Sequence, residues 1–262
     1  VQSLLSPPAE VLVWAKISPC RAGGGAPAAF CPIPRPQNIP AYIVREDTPV
    51  PGTIMAKRLA ALPEYAGVFL SKSEAEAKLD SRTLVVVVDT NRPDQVACPN
   101  LLRAARRITV IDHHRRAVDY IANAALNYHE PYASSAAELT AELMQYIIEP
   151  TDLLRTEAEA LLAGIVLDTK NFTLRTGGRT FEAAAFLRRC GGDTSEVHKL
   201  FQNNLTDMVH KFEIIKNATL CHDCVVVAAS NLPVNRIIAA QAADELINVQ
   251  GIKASFVLFP EE

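Results

Sequence analysis

Leu84-Val-Val-Val-Val-Asp89 and Ile108-Thr-Val-Ile-Asp-His-His114 are the stretches that decide the fold. Each is a short, mostly β-branched run with no charged residue inside it, and each ends directly on a carboxylate. A strand with one wet face alternates apolar and polar residues. A run that is apolar on both faces predicts a strand covered on both sides, as in the middle of a parallel sheet.

Working outward, strands are expected at Val11 to Trp14, Ala41 to Val44 and near Val68 to Leu70, with helices at Thr53 to Leu62 and Ser73 to Lys78. Downstream, Ala136 to Ile148 is apolar at helical spacing. Thr156-Glu-Ala-Glu159 reads as a capping box opening a helix that carries Leu161, Leu162, Ile165 and Val166 toward Asp168. A further helix, Phe181 to Cys190, stops at Gly191-Gly192, and helices follow at about 195 to 218. Strands alternating with helices predict an α/β fold with a parallel sheet. The tail reads as strand Cys224 to Ala228, helix Arg236 to Val249 closed by Gly251, and strand Ala254 to Phe259. It looks like the start of a smaller α/β domain, cut short with one apolar face uncovered, which leaves room for self-association as a homodimer.

The 262 residues, 49% of them apolar, are enough for one or two such domains. A net charge of -3 argues against a protein whose partner is the phosphate backbone of long nucleic acid. Six cysteines without framework spacing predict reduced thiols and a cytoplasmic setting. No apolar run approaches the roughly 18 to 20 residues of a spanning helix, so no membrane segment is expected in this chain. The stretch Val11 to Arg45 holds no Asp, Glu or His, and Cys20 to Pro36 has neither helical nor strand periodicity. Residues 14–37 therefore read as loop, disorder or a shifted reading frame.

In an open parallel sheet, ligands bind at the carboxyl ends of the strands, where Asp89 and Asp112-His113-His114 fall. Carboxylate and imidazole donors without thiolates favour Mn²⁺ or Mg²⁺ over structural zinc, and paired ions at such sites serve phosphoryl chemistry. Neighbouring histidines leaving a strand should point to opposite sides, one toward a metal and the other toward substrate. Asp112 is expected to orient an imidazole by accepting its spare N–H, and Asp168 to be the next carboxylate to converge. In Arg175-Thr-Gly-Gly-Arg179 the glycines would let backbone amides approach a phosphate that arginine pairs, although a plain surface turn reads equally well. A lone aspartate after a strand is also an ordinary turn residue. Cys221-His-Asp-Cys224 has no second cysteine pair and reads as inert, Arg103 to Arg107 as a solvated helix face, and His129, His198, His210 and His222 as structural.

Val87-Val-Asp-Thr-Asn-Arg-Pro93, Val110-Ile-Asp-His-His-Arg-Arg116, Glu130-Pro-Tyr-Ala-Ser-Ser135, Gly164-Ile-Val-Leu-Asp-Thr-Lys-Asn-Phe-Thr-Leu-Arg-Thr-Gly177 and Ala240-Gln-Ala-Ala-Asp-Glu-Leu246 occur in one order with sensible spacing. Together they resemble the DHH/DHHA1 phosphoesterases, specifically the GdpP-type cyclic-di-AMP phosphodiesterases, over roughly Ile39 to Phe259. The resemblance implies a DHH domain over residues 1–207 and part of a DHHA1 substrate-binding domain over 208–262. It also implies two Mn²⁺ ions, hydrolysis of cyclic di-AMP to linear pApA, and a parent protein anchored in the plasma membrane with its catalytic part in the cytoplasm. Carried over by motif, Asp89 resembles the carboxylate bridging both ions, and His113 and Asp168 resemble ligands of the second ion. His114, with Asp112, resembles the catalytic pair near the scissile phosphate, while Ser134, Ser135, Arg175 and Arg179 would shape the substrate pocket. Two family elements are absent: a His-x-x-x-Asp-x-Asp motif after the first strand and a Gly-Gly-Gly-His segment in the second domain. One partial metal site and impaired turnover are therefore expected. A related nanoRNase or pyrophosphatase, and a non-catalytic relic that binds nucleotide or a partner protein, stay open as alternatives.

Overall fold

The computed structural model describes residues 11–15 (backbone only), 39–44, 53–96, 98–202, 204–221, 223–230 and 234–260. Most of the interval read as aberrant, from residue 16 onward, lies outside the described residues, as does His222.

Six strands form one sheet: β1 (Val11–Ala15), β2 (Ala41–Val44), β3 (Phe69–Leu70), β4 (Leu84–Val88), β5 (Arg107–Asp112) and β6 (Leu126–His129), in the order β3-β2-β1-β4-β5-β6. Every pairing is parallel. The all-valine run of β4 has its physical reason in the two faces of this sheet. Val85 and Val87 join Ile108, Val110, Leu101 and Leu102 in one core, while Val86 and Val88 join Ile111, Ala136 and Leu139 in the other. Both faces are dry, so neither set of alternating positions can be polar.

The first face is covered by α2 (Lys72–Lys78) and α3 (Pro99–Ala104). The second is covered by α4 (Ala136–Ile147), behind which pack α5 (Arg155–Asp168) and α6 (Gly178–Arg189). α1 (Thr53–Ala60) and α7 (Thr194–Lys199) contact α5. α6 ends as its glycine signal implies, with Gly191 at φ +94°.

Two local expectations are corrected. α5 starts one residue before Thr156: Leu154 is the cap, and the Glu157 carboxylate accepts the Leu154 N–H at 2.8 Å as well as the Tyr65 hydroxyl at 2.5 Å. Glu159, the expected box partner, instead accepts from Arg155 Nε at 2.8 Å. The stretch Arg103 to Arg107 is not one helix face, because α3 ends at Ala104 and Arg107 already belongs to β5. Three elements had no clear sequence signal. α3, β6 and β7 (Ala218–Cys221) are only six, four and four residues long, too short for a period to register.

The chain divides into two compact units, and among the described residues the division falls between Leu200 and Phe201. The boundary read at 207 lies inside α8 (Leu205–Lys216). In the second unit β7 pairs antiparallel with β8 (Val225–Ala229), and β8 pairs parallel with β9 (Ala254–Leu258). α8 and α9 (Arg236–Ile247) close its core through Ile214, Ile238, Ala242 and Leu246, packed on Val226 and Ala228. Phe256 and Leu258 remain exposed on β9. Cys221 and Cys224 are free thiols, as are the buried Cys98 and Cys190. Among the described residues no helix is long and apolar enough to cross a membrane.

Candidate metal centre

Strand order reverses between β1 and β4, the position at which an open parallel sheet leaves a crevice outside its carboxyl ends. Asp89 is the first residue past β4 and sits at φ 65°, a left-handed backbone that a non-glycine residue adopts at a cost of order 1–3 kcal/mol. Its N–H is tied to the Ile111 carbonyl at 2.9 Å, which holds the turn against β5. The strain buys an inward-facing carboxylate: Asp89 Oδ1 lies 3.3 Å from His113 Nε2, which in turn lies 3.6 Å from Asp168 Oδ2 at the end of α5. Three residues far apart in sequence thus meet at one rim. Asp89 Oδ1 and His113 Nδ1 are buried without a hydrogen-bond partner.

His114 joins the same cluster, and here the expected geometry is corrected. The two histidines do not diverge; their rings lie 4.4 Å apart, and Asp89, His113 and His114 offer ligand atoms within 4.8 Å of one another. Side-chain alternation applies only within extended backbone, and β5 ends at Asp112. The Asp112 carboxylate then folds the chain back, Oδ1 accepting the His114 N–H at 3.2 Å and standing 2.7 Å from His114 Nδ1. Its other oxygen accepts from Asn91 Nδ2 at 2.5 Å. Asp112 is fully buried; burial pushes its pKa up, but the bonds from His114 and Asn91 outweigh that and the net direction is down. An ionised Asp112 requires the proton on His114 Nδ1, which leaves Nε2 as the bare nitrogen of the neutral ring.

Asn91 is the residue that sequence reasoning missed. Besides Asp112, its amide reaches the Arg115 carbonyl and takes the Ala117 N–H at 3.0 Å, so it braces the loop that carries both histidines. Its place two residues past Asp89, on the same strand end, was the available signal. His129, in register with Asp112, bonds through Nε2 to the His114 carbonyl and is structural.

Burial of the His113 ring pulls its pKa down, while Asp89, Asp168 and Asp112 push harder the other way, so the net is upward. Although a third of its side chain meets solvent (34%), Asp168 is hemmed in by burial first and by the Asp89 charge second, and its pKa rises to about 6. Two carboxylates thus flank one imidazole, and positive charge placed among them favours the ionised form of both.

The other predicted residues separate. Ser135 caps α4, its hydroxyl accepting the Glu138 N–H at 3.0 Å, and the Ser134 hydroxyl donates to Glu138 at 2.5 Å. Both serines are buried and locally engaged. Arg179 is clamped by Glu142, Nε and Nη2 each donating at 2.7 Å, and this pairing raises its pKa. Gly177 N–H is taken by Thr180 Oγ1 at 3.0 Å, so that amide is not offered to a ligand. Arg175 differs: it is exposed, like Arg179, but among the described residues no carboxylate lies at ion-pair distance from it.

Residues 28–165 match the DHH family, N-terminal domain, which is more than half of the chain. The chain belongs to the DHH family. Among its relatives, the DHH chain is 39% identical over 226 residues to a protein of Listeria monocytogenes named cyclic-di-AMP phosphodiesterase PdeA, covering 83% of this chain and 34% of that protein. It is 33% identical over 267 residues to cyclic-di-AMP phosphodiesterase GdpP of Bacillus subtilis, covering 98% of this chain and 40% of that protein. The DHH chain thus spans well under half the length of either relative. In fold it is similar to an exopolyphosphatase-related protein from Bacteroides fragilis, with a TM-score of 0.75 at 13% identity over 96% of this chain and 76% of that one.

The donor set fits one divalent cation. An orphaned buried carboxylate oxygen, an imidazole nitrogen between two carboxylates, and the absence of thiolate among these groups suit a hard to borderline ion. No second cluster of this kind occurs among the described residues.

Proposed function

We propose that the chain is the catalytic region of a metal-dependent phosphodiesterase acting on cyclic di-AMP, with the first unit as its DHH domain and the second as part of a DHHA1 substrate-binding domain. The observation that supports it most directly is the meeting of Asp89, His113 and Asp168 at the carboxyl rim where strand order reverses. The names of the relatives supply the substrate. Asp89, His113 and Asp168 would hold Mn²⁺, and the ion when bound supplies positive charge against the phosphoryl oxygens. His114, kept in one tautomer by Asp112, presents a bare Nε2 that can take or return a proton beside the scissile phosphate. Arg175 would pair a non-bridging phosphate oxygen.

A specific observation also favours a weakened enzyme. Ala15, the last residue of β1, is in register with Val88, so β1 ends beside Asp89. The sequence from there through Arg45 contains no carboxylate or imidazole. Asp89 therefore lacks companions from β1 for a second ion, and we infer low turnover. The test is incubation of the purified chain with cyclic di-AMP and Mn²⁺, following pApA by chromatography beside Asp89→Asn. Slow, Mn²⁺-dependent product formation absent from the variant is the expected result. Product from a short oligoribonucleotide but none from cyclic di-AMP would shift the substrate to the neighbouring nanoRNase class, and no product from either would support the relic.

A further inference from the structure

The segment after Asp168 runs against the preference of its residues. Lys170, Asn171 and Phe172 have φ of 46°, 59° and 61°, and Arg175 has φ 50°. Left-handed backbone is ordinarily visited by glycine or asparagine, one residue at a time. Three in succession, two of them bulky, need an external hold.

That hold converges on Thr169, which is fully buried. Its hydroxyl donates to the Ile165 carbonyl at 2.6 Å and accepts the Phe172 N–H at 2.9 Å. Its carbonyl accepts the N–H groups of Thr173 at 2.9 Å and Leu174 at 2.8 Å, while Asn171 N–H reaches the Val166 carbonyl at 2.8 Å. All amides from 171 to 174 are thereby satisfied, and only that of Phe172 depends on a side chain. The Phe172 ring is stacked on Phe181 of α6, centroids 5.5 Å apart and planes 12° from parallel.

The turn delivers Arg175. Of the cationic and amide donors in Arg175-Thr-Gly-Gly-Arg179, Arg179 and Gly177 are already engaged. Arg175 is exposed, seven residues past Asp168, and has no carboxylate at ion-pair distance among the described residues. We propose that Thr169 is a positioning residue: its buried hydroxyl pins the left-handed turn that opens directly after Asp168 and so fixes the backbone that carries Arg175, from which the guanidinium can take a phosphate oxygen. The phosphate half of this rests on the phosphodiesterase reading above.

The test uses the full chain and Thr169→Val, Thr169→Ser, Arg175→Ala and the Thr169→Val/Arg175→Ala pair. Hydrogen exchange of a peptide spanning the turn reads the pin independently of function. Thr169→Val, which keeps shape and loses the hydroxyl, should speed exchange there about tenfold, and Thr169→Ser should restore protection. Calorimetric titration with inorganic phosphate in the presence of Mn²⁺ reads the consequence. Thr169→Val and Arg175→Ala should each weaken binding about tenfold, with the pair no weaker than Arg175→Ala alone, because one acts through the other. Unchanged exchange in Thr169→Val, a serine variant as loose as the valine one, or multiplying losses in the pair would overturn the proposal. Phosphate binding to none of the proteins while Thr169→Val still loosens the turn would leave the pin standing and remove both the role of Arg175 and the phosphoesterase reading of the rim.

Discussion

At the scale of single residues, the carboxylates of Asp89 and Asp168 converge on the His113 imidazole, and three measurements test the rim that holds them. A cation that binds the folded chain alone stabilises it by mass action, about 2.7 kcal/mol at a hundredfold excess over Kd. Mn²⁺ should accordingly raise the melting temperature, and Asp89→Asn should abolish the rise. The second concerns pH in the absence of metal. With its pKa lifted from 3.8 to about 6, Asp168 keeps a proton in the fold that the unfolded chain has released, so folding stability falls as pH rises through that window. In EDTA, urea midpoints measured between about pH 4 and pH 6 should fall less for Asp168→Asn than for the parent. His113 works in the same direction at higher pH, since its raised pKa contributes stability that is lost as pH climbs through the folded value. The third tests Asn91. Asn91→Ala leaves one oxygen of a fully buried carboxylate without a donor, which should cost about 1–3 kcal/mol in urea denaturation.

At the scale of elements, the chain leaving α6 passes close against the first turns of α5. Gly192 permits it. A Cβ there would stand 3.0 Å from the Leu187 carbonyl oxygen and 3.4 Å from Ala158 of α5, backbone atoms that cannot rotate away. Gly192→Ala should destabilise the fold by about 1–3 kcal/mol, read as a lower denaturation midpoint at unchanged slope. The start of α5 shows why capping motifs misplace helix ends. The Thr156 pattern is a valid local signal, but Glu157 is also the buried acceptor for Tyr65, and that tertiary bond sets which turn comes first.

At the scale of the whole molecule, the order β3-β2-β1-β4-β5-β6 places the ends of β1 and β4 side by side, so the ligand count of the site depends on the residues that succeed Ala15 in the chain. On the phosphodiesterase reading proposed above, replacing those residues with a segment bearing a His-x-x-x-Asp-x-Asp motif should raise turnover of cyclic di-AMP. A gain of about 4 kcal/mol in transition-state stabilisation corresponds to roughly a thousandfold in rate. Steady-state kinetics with Mn²⁺ on both chains checks it. An equal rate in the two would show that the retained ligands suffice.

The sequence by itself determined the parallel sheet, the second α/β unit and the positions of Asp89, His113, His114 and Asp168. Strands buried on both faces must be written as unbroken apolar runs, and carboxylates at their ends are visible without coordinates. What only the tertiary structure decided was which of those groups are available. Side-chain alternation predicts that His113 and His114 part, yet the turn imposed by Asp112 sends both to Asp89. Motif position makes Ser134, Ser135 and Arg179 equal to Arg175, yet Glu138 and Glu142 engage the first three, and among the described residues no carboxylate pairs with Arg175. Asn91 and Thr169 carry no periodic signal, because their importance lies in hydrogen bonds to groups that only folding brings within reach.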